Sequence, residues 1–145
     1  LSQLLAALGS LFAKAGIGKI VSDIVASAIP TESALAVVIA YCLGMAIFTI
    51  IMGNAFAAFA VITSGIGIPL VIMGHGADPL IVAPIAMLAG YCGTLMTPMA
   101  ANFNIVPAAL LEMQSKYGVI RAQIPLAIAL LAANILLMYF LGFHR

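Results

Sequence analysis

The sequence predicts an all-α integral membrane protein, and its composition is the first reason. Of the 145 residues, 66% are hydrophobic and 6% are charged, whereas soluble domains carry roughly 25% charged residues. A soluble domain of this length has too little interior to hide so much apolar surface. The charged residues also leave three uncharged runs, at 33–77, 79–111 and 122–144. A membrane-spanning helix needs about 20 apolar residues, so we predict a single membrane domain over 1–145.

Composition also narrows the possible functions. The net charge of +1 offers no basis for a nucleic-acid partner. Paired carboxylates, a His-rich metal motif and GxSxG are absent from the sequence, so we expect neither an enzyme nor a resident cofactor. Cys42 and Cys92 lie in apolar runs and are interpreted as small buried hydrophobes, with a disulfide or metal pair as the alternative. The chain begins with Leu, so we expect its numbering to start inside a longer polypeptide.

Residues 3–30 are predicted to form amphipathic or interfacial helices. The apolar segment 3–13 is too short to span a bilayer, and Ala15-Gly16-Ile17-Gly18 ends it. Apolar residues then recur at helical spacing from Ile17 to Ala28, with polar residues on the opposite face: Lys19, Ser22, Asp23 and Ser27. This pattern fits a helix in the membrane interface and a helix packed against a bundle equally well.

Residues 35–73 are predicted to form a re-entrant helical hairpin. The apolar run 35–52 is interrupted by Gly53-Asn54 and resumes at Ala55. An extramembrane turn usually carries charges, yet none lies within about 20 residues on either side of this one. A tip buried inside the protein explains that absence. The length of the segment also allows two full spans, which is the alternative.

Residues 80–113 are predicted to form a broken transmembrane helix. A half-length helix over 80–92 is followed by a polar break over 93–104 and a second short helix over 105–113. The interrupting sequence is GTLMTPMAANFNIVP. Each backbone group freed in hydrocarbon costs several kcal/mol unless something satisfies it. The break is therefore expected where protein buries it or where it lines a wet cavity.

Residues 122–143 are predicted to form the last transmembrane helix. The loop before it, 114–121, carries Lys116 and Arg121 and is assigned to the cytoplasm by the positive-inside rule. The HGADP turn at 75–79 and the C-terminus then lie on the outer side.

The two polar interruptions are predicted to form a substrate- or ion-binding site. Secondary transporters bind their substrates with discontinuous helices, whose N-termini face anionic groups and whose unwound carbonyls hold a coupling cation. The candidate residues combine hydroxyl and amide groups with backbone-shaping residues: Gly53, Asn54, Gly93, Thr94, Thr97, Pro98, Asn102 and Asn104.

Several of these residues have a structural interpretation as well. Gly93 is expected to give the backbone room, and Pro98 to keep Thr97 out of the helical conformation. Pro107 is placed early in the second short helix. The alternative is that the threonines bond their own helix carbonyls and the prolines only kink the helix. Asn134, isolated in the last span, is predicted to make an interhelical hydrogen bond.

The order of these elements resembles the second repeat of the ion transporter superfamily. Its members include divalent anion/sodium symporters and the large membrane subunit of tripartite dicarboxylate transporters. The symporters carry Ser-Asn-Thr at the hairpin tip, where this chain has Gly53-Asn54-Ala55, so Asn54 matches and the two hydroxyls do not. Thr97-Pro98 and Asn102 match the Thr-Pro-rich loop of the broken helix.

A longer resemblance covers the whole chain through IIMGNAFAAF, GYCGTLMTPMAANFNIVPAALLE and KYGVI. These segments are similar to an uncharacterised bacterial permease family, proposed as one of two membrane subunits of a 5-oxoproline transporter. Proteins of that family are about twice as long, so this chain resembles their C-terminal half, and inverted-repeat folds need both halves to close a site.

This resemblance implies secondary transport of a small organic anion, a 5-oxoproline-like carboxylate, with Na⁺ or H⁺ as the coupling cation. It implies a multi-pass protein of the bacterial cytoplasmic membrane. The expected partners are the lipid bilayer, the N-terminal half and a second membrane subunit, and a homo-oligomer is also open. The alternative is a non-transporting membrane subunit that docks a partner permease subunit.

Overall fold

The computed structural model describes residues 3, 7, 10, 11, 14–30 and 32–143, and the regular structure within them is helical. The order of the helices is α1 (Ile17–Ala28), α2 (Ala34–Met52), α3 (Ala55–His75), α4 (Pro79–Met96), α5 (Ala101–Leu110) and α6 (Gly118–Gly142). The all-α prediction is therefore confirmed. Most of the predicted segment 3–13 lies outside the described residues.

Four segments are long and apolar enough to cross a membrane: α2, α3, α4 together with α5, and α6. The 19 residues of α2 and the 21 residues of α3 correspond to about 28 and 32 Å at 1.5 Å per residue. The hydrocarbon core of a bilayer is about 30 Å thick. The chain thus has the helices of a multi-pass membrane protein. Because each arm of the hairpin is long enough to span by itself, the re-entrant geometry stays a prediction beside the two full spans.

The core of the bundle lies where α2 packs against α3, α4 and α6, while α4 and α6 pack along each other. Tyr41, Met45, Val82 and Met138 are among its fully buried side chains. Cys42 and Cys92 are free and buried among these residues, which confirms their interpretation as buried hydrophobes. Since lipid tails are as apolar as these side chains, their burial stabilises the bundle through van der Waals packing between the helices.

The two arms of the hairpin are joined about halfway along their length. The Tyr41 hydroxyl lies 2.7 Å from Thr63 Oγ1. A Cβ added to Gly67 would lie 2.7 Å from the Tyr41 ring, so the arms approach more closely there than a larger residue allows. This part of α3, Thr63–Ile72, is a π-helix and contains Pro69, which lacks the N–H that a regular α-helix needs.

Helix α1 packs against the Thr63–Ile72 segment of α3. Ile17 contacts the core, whereas Ile20 and Ile24 on the predicted apolar face are exposed. One side of α1 therefore meets the bundle and another leaves apolar side chains open. Helix α1 therefore packs against the bundle, and its exposed apolar side chains also allow it to lie in the membrane interface.

The polar break is narrower than the predicted 93–104, because only 97–100 are non-helical. Gly93 still belongs to α4, and Asn102 and Asn104 already belong to α5. The placement of Pro107 early in the second short helix is wrong: it is the seventh residue of the ten in α5. The ring of Pro107 removes the N–H that would bond the Phe103 carbonyl. The last helix likewise begins at Gly118, four residues before the predicted 122.

The two ends of the bundle are clearly separated along α6. The Asp78 N–H donates to the Gly142 carbonyl at 3.1 Å, so the 75–79 turn lies beside the end of α6. The loop after α5 leads into the opposite end of α6 at Gly118. Asp78 also caps α4, since its Oδ1 accepts from the Leu80 N–H at 2.9 Å. The HGADP turn and the end of α6 at Gly142 therefore lie at the same end of the bundle, and the side of the membrane that they face stays a prediction.

Candidate functional site

The tip of the hairpin is a two-residue turn, Gly53-Asn54, and each of the two residues suits the conformation at its position. Gly53 ends α2 with φ 69°, a left-handed conformation that glycine adopts without steric cost. Asn54 then caps α3, with its Oδ1 accepting from the Phe56 N–H at 2.9 Å and the Ala57 N–H at 3.4 Å. An asparagine in this position satisfies N–H groups that the helix itself leaves unpaired.

This tip lies directly against the break between α4 and α5. A Cβ added to Gly53 would lie 2.7 Å from Met99 Cβ and 2.8 Å from the Met99 carbonyl carbon. The Thr97 hydroxyl donates to the Ile50 carbonyl at 2.8 Å, one of the last carbonyls of α2 and one without a helical partner. The structure therefore brings the two polar interruptions together, although 40 or more residues separate them in the chain.

Thr97 has the extended conformation expected before a proline, with φ −116° and ψ 136°. Its hydroxyl also accepts from the Met99 N–H at 3.2 Å. Fully buried Asn104 donates through Nδ2 to the Thr94 carbonyl at 2.8 Å and the Thr97 carbonyl at 2.6 Å. These bonds satisfy carbonyls at the end of α4, so Thr97 and Asn104 hold the shape of the break.

A cleft of about 400 Å³ opens between the tip and the break. Four of the predicted site residues line it: Gly53, Asn54, Thr94 and Asn102. The other wall residues are Ala55, Phe56, Tyr91, Met99, Ala100, Ala101 and Phe103. The Thr94 hydroxyl donates to the Tyr91 carbonyl at 2.5 Å, as the alternative interpretation of the threonines anticipates, and its oxygen remains an acceptor. The Asn102 side chain makes no hydrogen bond within the described residues and is exposed.

The remaining predicted residues stand outside the walls of the cleft. Gly93 faces α2, where an added Cβ would lie 2.9 Å from Thr49 Cβ. The room that Gly93 provides is therefore used for the close approach of α2 and α4. Pro98 is exposed on the surface of the chain, and Thr97 and Asn104 lie beneath the cleft in the hydrogen bonds described above.

Two helices begin at this cleft, which sets its electrostatics. The first residues of α3 (Ala55, Phe56) and of α5 (Ala101, Asn102) are wall residues. A helix N-terminus carries roughly half a positive elementary charge. The N-cap of α5, Ala100, offers no side-chain acceptor, and within the described residues the Ala101 and Asn102 N–H groups have no hydrogen-bond partner. The cleft therefore presents unpaired donors, with no Asp, Glu, Lys or Arg in its walls.

The aromatic part of the wall does not follow from the sequence pattern. Phe56 and Tyr91 form an edge-to-face pair with ring centroids 6.1 Å apart, and Phe103 is a third aromatic wall residue. We expect Tyr91 from the sequence only as a packing or interfacial residue. Its spacing of three residues from Thr94 places both on one face of α4, which is the signal that links it to the site.

Asn134 has the role that the sequence predicts. Its Nδ2 donates to Cys92 Sγ at 3.6 Å, which joins α6 to α4, and its side chain is buried. The interhelical hydrogen bond is therefore confirmed.

Comparison with known proteins identifies a family for nearly the whole chain. A protein-family model described as a protein of unknown function (DUF979) matches residues 1–143. No curated protein and no solved structure matches the chain. The chain thus belongs to the DUF979 family of proteins of unknown function.

Proposed function

We propose that this chain forms one repeat of a secondary transporter for a small organic anion, a 5-oxoproline-like carboxylate, in the bacterial cytoplasmic membrane. The observation that carries the proposal is the cleft at which two helices begin. It combines unpaired N–H groups at the start of α5 with the amides of Asn54 and Asn102. These are the groups that bind carboxylates at helix N-termini.

The size and polarity of the cleft support a small substrate. Its volume of about 400 Å³ falls in the range of roughly 300–1,000 Å³ that is typical of small-molecule sites. The aromatic rings of Phe56, Tyr91 and Phe103 offer apolar contact to the carbon skeleton. A cyclic carboxylate with one polar edge and one apolar face matches both features.

Coupling to Na⁺ or H⁺ is part of this proposal. Among the described residues, Asn104 Oδ1 is a buried oxygen acceptor with no hydrogen-bond partner. Oxygen atoms of amides and carbonyls are the ligands of hard cations. Asn104 also bonds the two carbonyls at the end of α4, so a cation at this oxygen would act on the shape of the break.

The break between α4 and α5 also supports the proposal that another part of the transporter completes the site. Ala101 and Asn102 are exposed residues on one side of α5. Their N–H groups have no partner within the described residues, and lipid offers none. We propose that an N-terminal half of the permease covers this side and that a second membrane subunit joins the assembly.

The test is uptake of radiolabelled 5-oxoproline by cells that express the complete protein with its partner subunit. Ala101→Leu places a large side chain in the cleft, whereas Ala109→Leu makes the same change at an exposed position of α5 outside it. We expect Ala101→Leu to abolish uptake and Ala109→Leu to leave it near the wild-type level, at matched amounts of protein in the membrane.

Two results would decide against the proposal. Uptake unaffected by Ala101→Leu would remove the cleft from the transport path. Loss of partner co-purification in Ala101→Leu, with uptake by the remaining subunits unchanged, would instead favour a docking subunit that does not transport.

A further inference from the structure

A second cavity, of about 310 Å³, lies next to the polar cleft, with which it shares wall residues. Helices α4, α5 and α6 form its walls with the side chains of Leu88, Tyr91, Cys92, Thr94, Leu95, Phe103, Leu130 and Asn134. Nearly all of the lining is apolar. Leu88, Leu130 and Phe103 are 53%, 43% and 63% exposed, so the cavity opens on the outer surface of the chain, where a membrane protein meets lipid.

The amide oxygen of Asn134, which lines this cavity, has no hydrogen-bond donor within the described residues. Asn134 is 6% exposed and its Nδ2 donates to Cys92 Sγ. Its Oδ1 accepts no hydrogen bond within the described residues, and Asn134 is one of the residues that line the cavity. An amide oxygen in apolar surroundings is destabilised when it has no partner, and a ligand with one donor would supply that partner.

The depth of Asn134 in the membrane limits the kind of molecule that can carry the hydrogen-bond donor. Asn134 lies eight residues before Gly142 in α6, or about 12 Å along the helix. Since the hydrocarbon core is about 30 Å thick, this oxygen lies below the level of lipid headgroups. The donor must therefore be carried by a molecule that is apolar enough to dissolve in the membrane.

We propose that this cavity binds a small apolar ring compound that enters from the lipid phase and donates one hydrogen bond, as a phenol does, to Asn134 Oδ1. An engineered apolar cavity of about 150 Å³ holds benzene, so 310 Å³ accommodates a substituted ring. The site stands on the cavity and on Asn134 alone, and it is independent of the proposed transport function.

The cavity also shares three wall residues with the polar cleft: Tyr91, Thr94 and Phe103. The cavity and the polar cleft are therefore neighbouring spaces that these three side chains border.

The experiment is photo-crosslinking of the purified protein in detergent with two probes. One is a phenol that carries a trifluoromethyl diazirine, and the other is the same molecule without the hydroxyl group. Half-saturating concentrations are measured by mass spectrometry of peptides covering 88–103 and 130–134. We expect Asn134→Leu to lower the preference for the phenol about fivefold, the equivalent of a hydrogen bond of about 1 kcal/mol. The comparison between variants cancels the different partitioning of the probes into detergent.

A matched pair of filling variants tests the cavity without changing Asn134. Leu130→Phe adds volume at the rim, whereas Leu137→Phe makes the same change two turns later in α6, outside the cavity. We expect Leu130→Phe to abolish saturable crosslinking and Leu137→Phe to preserve it. The proposal is overturned by non-saturable crosslinking of the wild type, by an unchanged phenol preference in a folded Asn134→Leu variant, or by equal behaviour of the two phenylalanine variants. Equal binding of both probes at this place would reveal a site for lipid acyl chains instead.

Discussion

Asn104 is the side chain on which the shape of the break depends most. It is fully buried, and its Nδ2 bonds two carbonyls that α4 leaves unpaired at its end. We expect Asn104→Ala to reduce the free energy of unfolding by about 1–3 kcal/mol, because it leaves two buried carbonyls without donors. Thermal unfolding in detergent measures this effect. The control is Asn102→Ala, an exposed position with no such bond, which we expect to change stability by less than about 0.5 kcal/mol; equal losses in the two variants would contradict the role of Asn104.

Gly53 provides a second test at a single position. Gly53 and Gly76 have the same φ of 69°, but only Gly53 is crowded, since an added Cβ would meet Met99 at 2.7 Å while nothing lies within 4 Å at Gly76. Gly76→Ala therefore carries only the backbone penalty of about 1–2 kcal/mol. We expect Gly53→Ala to cost a further 1–3 kcal/mol or so from overpacking, measured by the same unfolding assay. A smaller loss in Gly53→Ala than in Gly76→Ala would mean that the tip does not touch the break.

The helices themselves could be predicted from the chain with good accuracy, since uncharged runs and the turns between them follow from composition. The limits of the break could not. Thr and Asn were expected to keep residues 93–104 out of a helix, yet buried Asn104 lies within α5 because it serves carbonyls of α4. The bond from Thr97 to the Ile50 carbonyl joins residues 47 apart in the chain. A local sequence pattern does not identify a partner so far away in the chain. The sequence therefore predicts where the polar interruptions lie but not the hydrogen bonds that they form.

Among the described residues, helices α2 and α4 approach each other closely at a glycine, Gly93. Gly93 lies so close to Ala46 and Thr49 that a side chain has no room. We expect Gly93→Ala to separate the two helices and to destabilise the fold by roughly 1–3 kcal/mol. Gly44→Ala is the matched control on α2, since an added Cβ there meets only ordinary contacts at 3.5 Å. Unfolding in detergent distinguishes them, and equal stability of the two variants would refute the close approach.

Orientation in the membrane is a property of the whole molecule. The loop with Lys116 precedes α6, and the 75–79 turn lies beside the other end of α6. Single cysteines at the exposed positions Gln114 and Leu80, in a chain with Cys42 and Cys92 replaced by alanine, report the two sides. We expect a membrane-impermeant maleimide added to intact cells to label Leu80→Cys and to label Gln114→Cys only after lysis. The reverse pattern would invert the topology that the positive-inside rule assigns.

In the folded molecule, the two polar interruptions of the sequence border one cleft. The hairpin tip and the break meet, two helices begin there, and unpaired N–H groups remain on the open side. That a carboxylate occupies this cleft is the central proposal. The proposal predicts that a bound carboxylate shields the exposed position Ala101, at the start of α5, and leaves Ala109, further along the same helix, accessible.

The most direct measurement is protection of a cysteine in the cleft by substrate. In the protein without its native cysteines, Ala101→Cys and Ala109→Cys are labelled with a maleimide at increasing concentrations of 5-oxoproline. We predict that labelling at 101, an exposed wall residue whose backbone N–H the substitution keeps, slows saturably, by about tenfold when the ligand exceeds its Kd tenfold, while labelling at 109 is unchanged. Labelling at 101 that is indifferent to 5-oxoproline and to other small carboxylates, or that slows equally at 109, would contradict an anion site in the cleft.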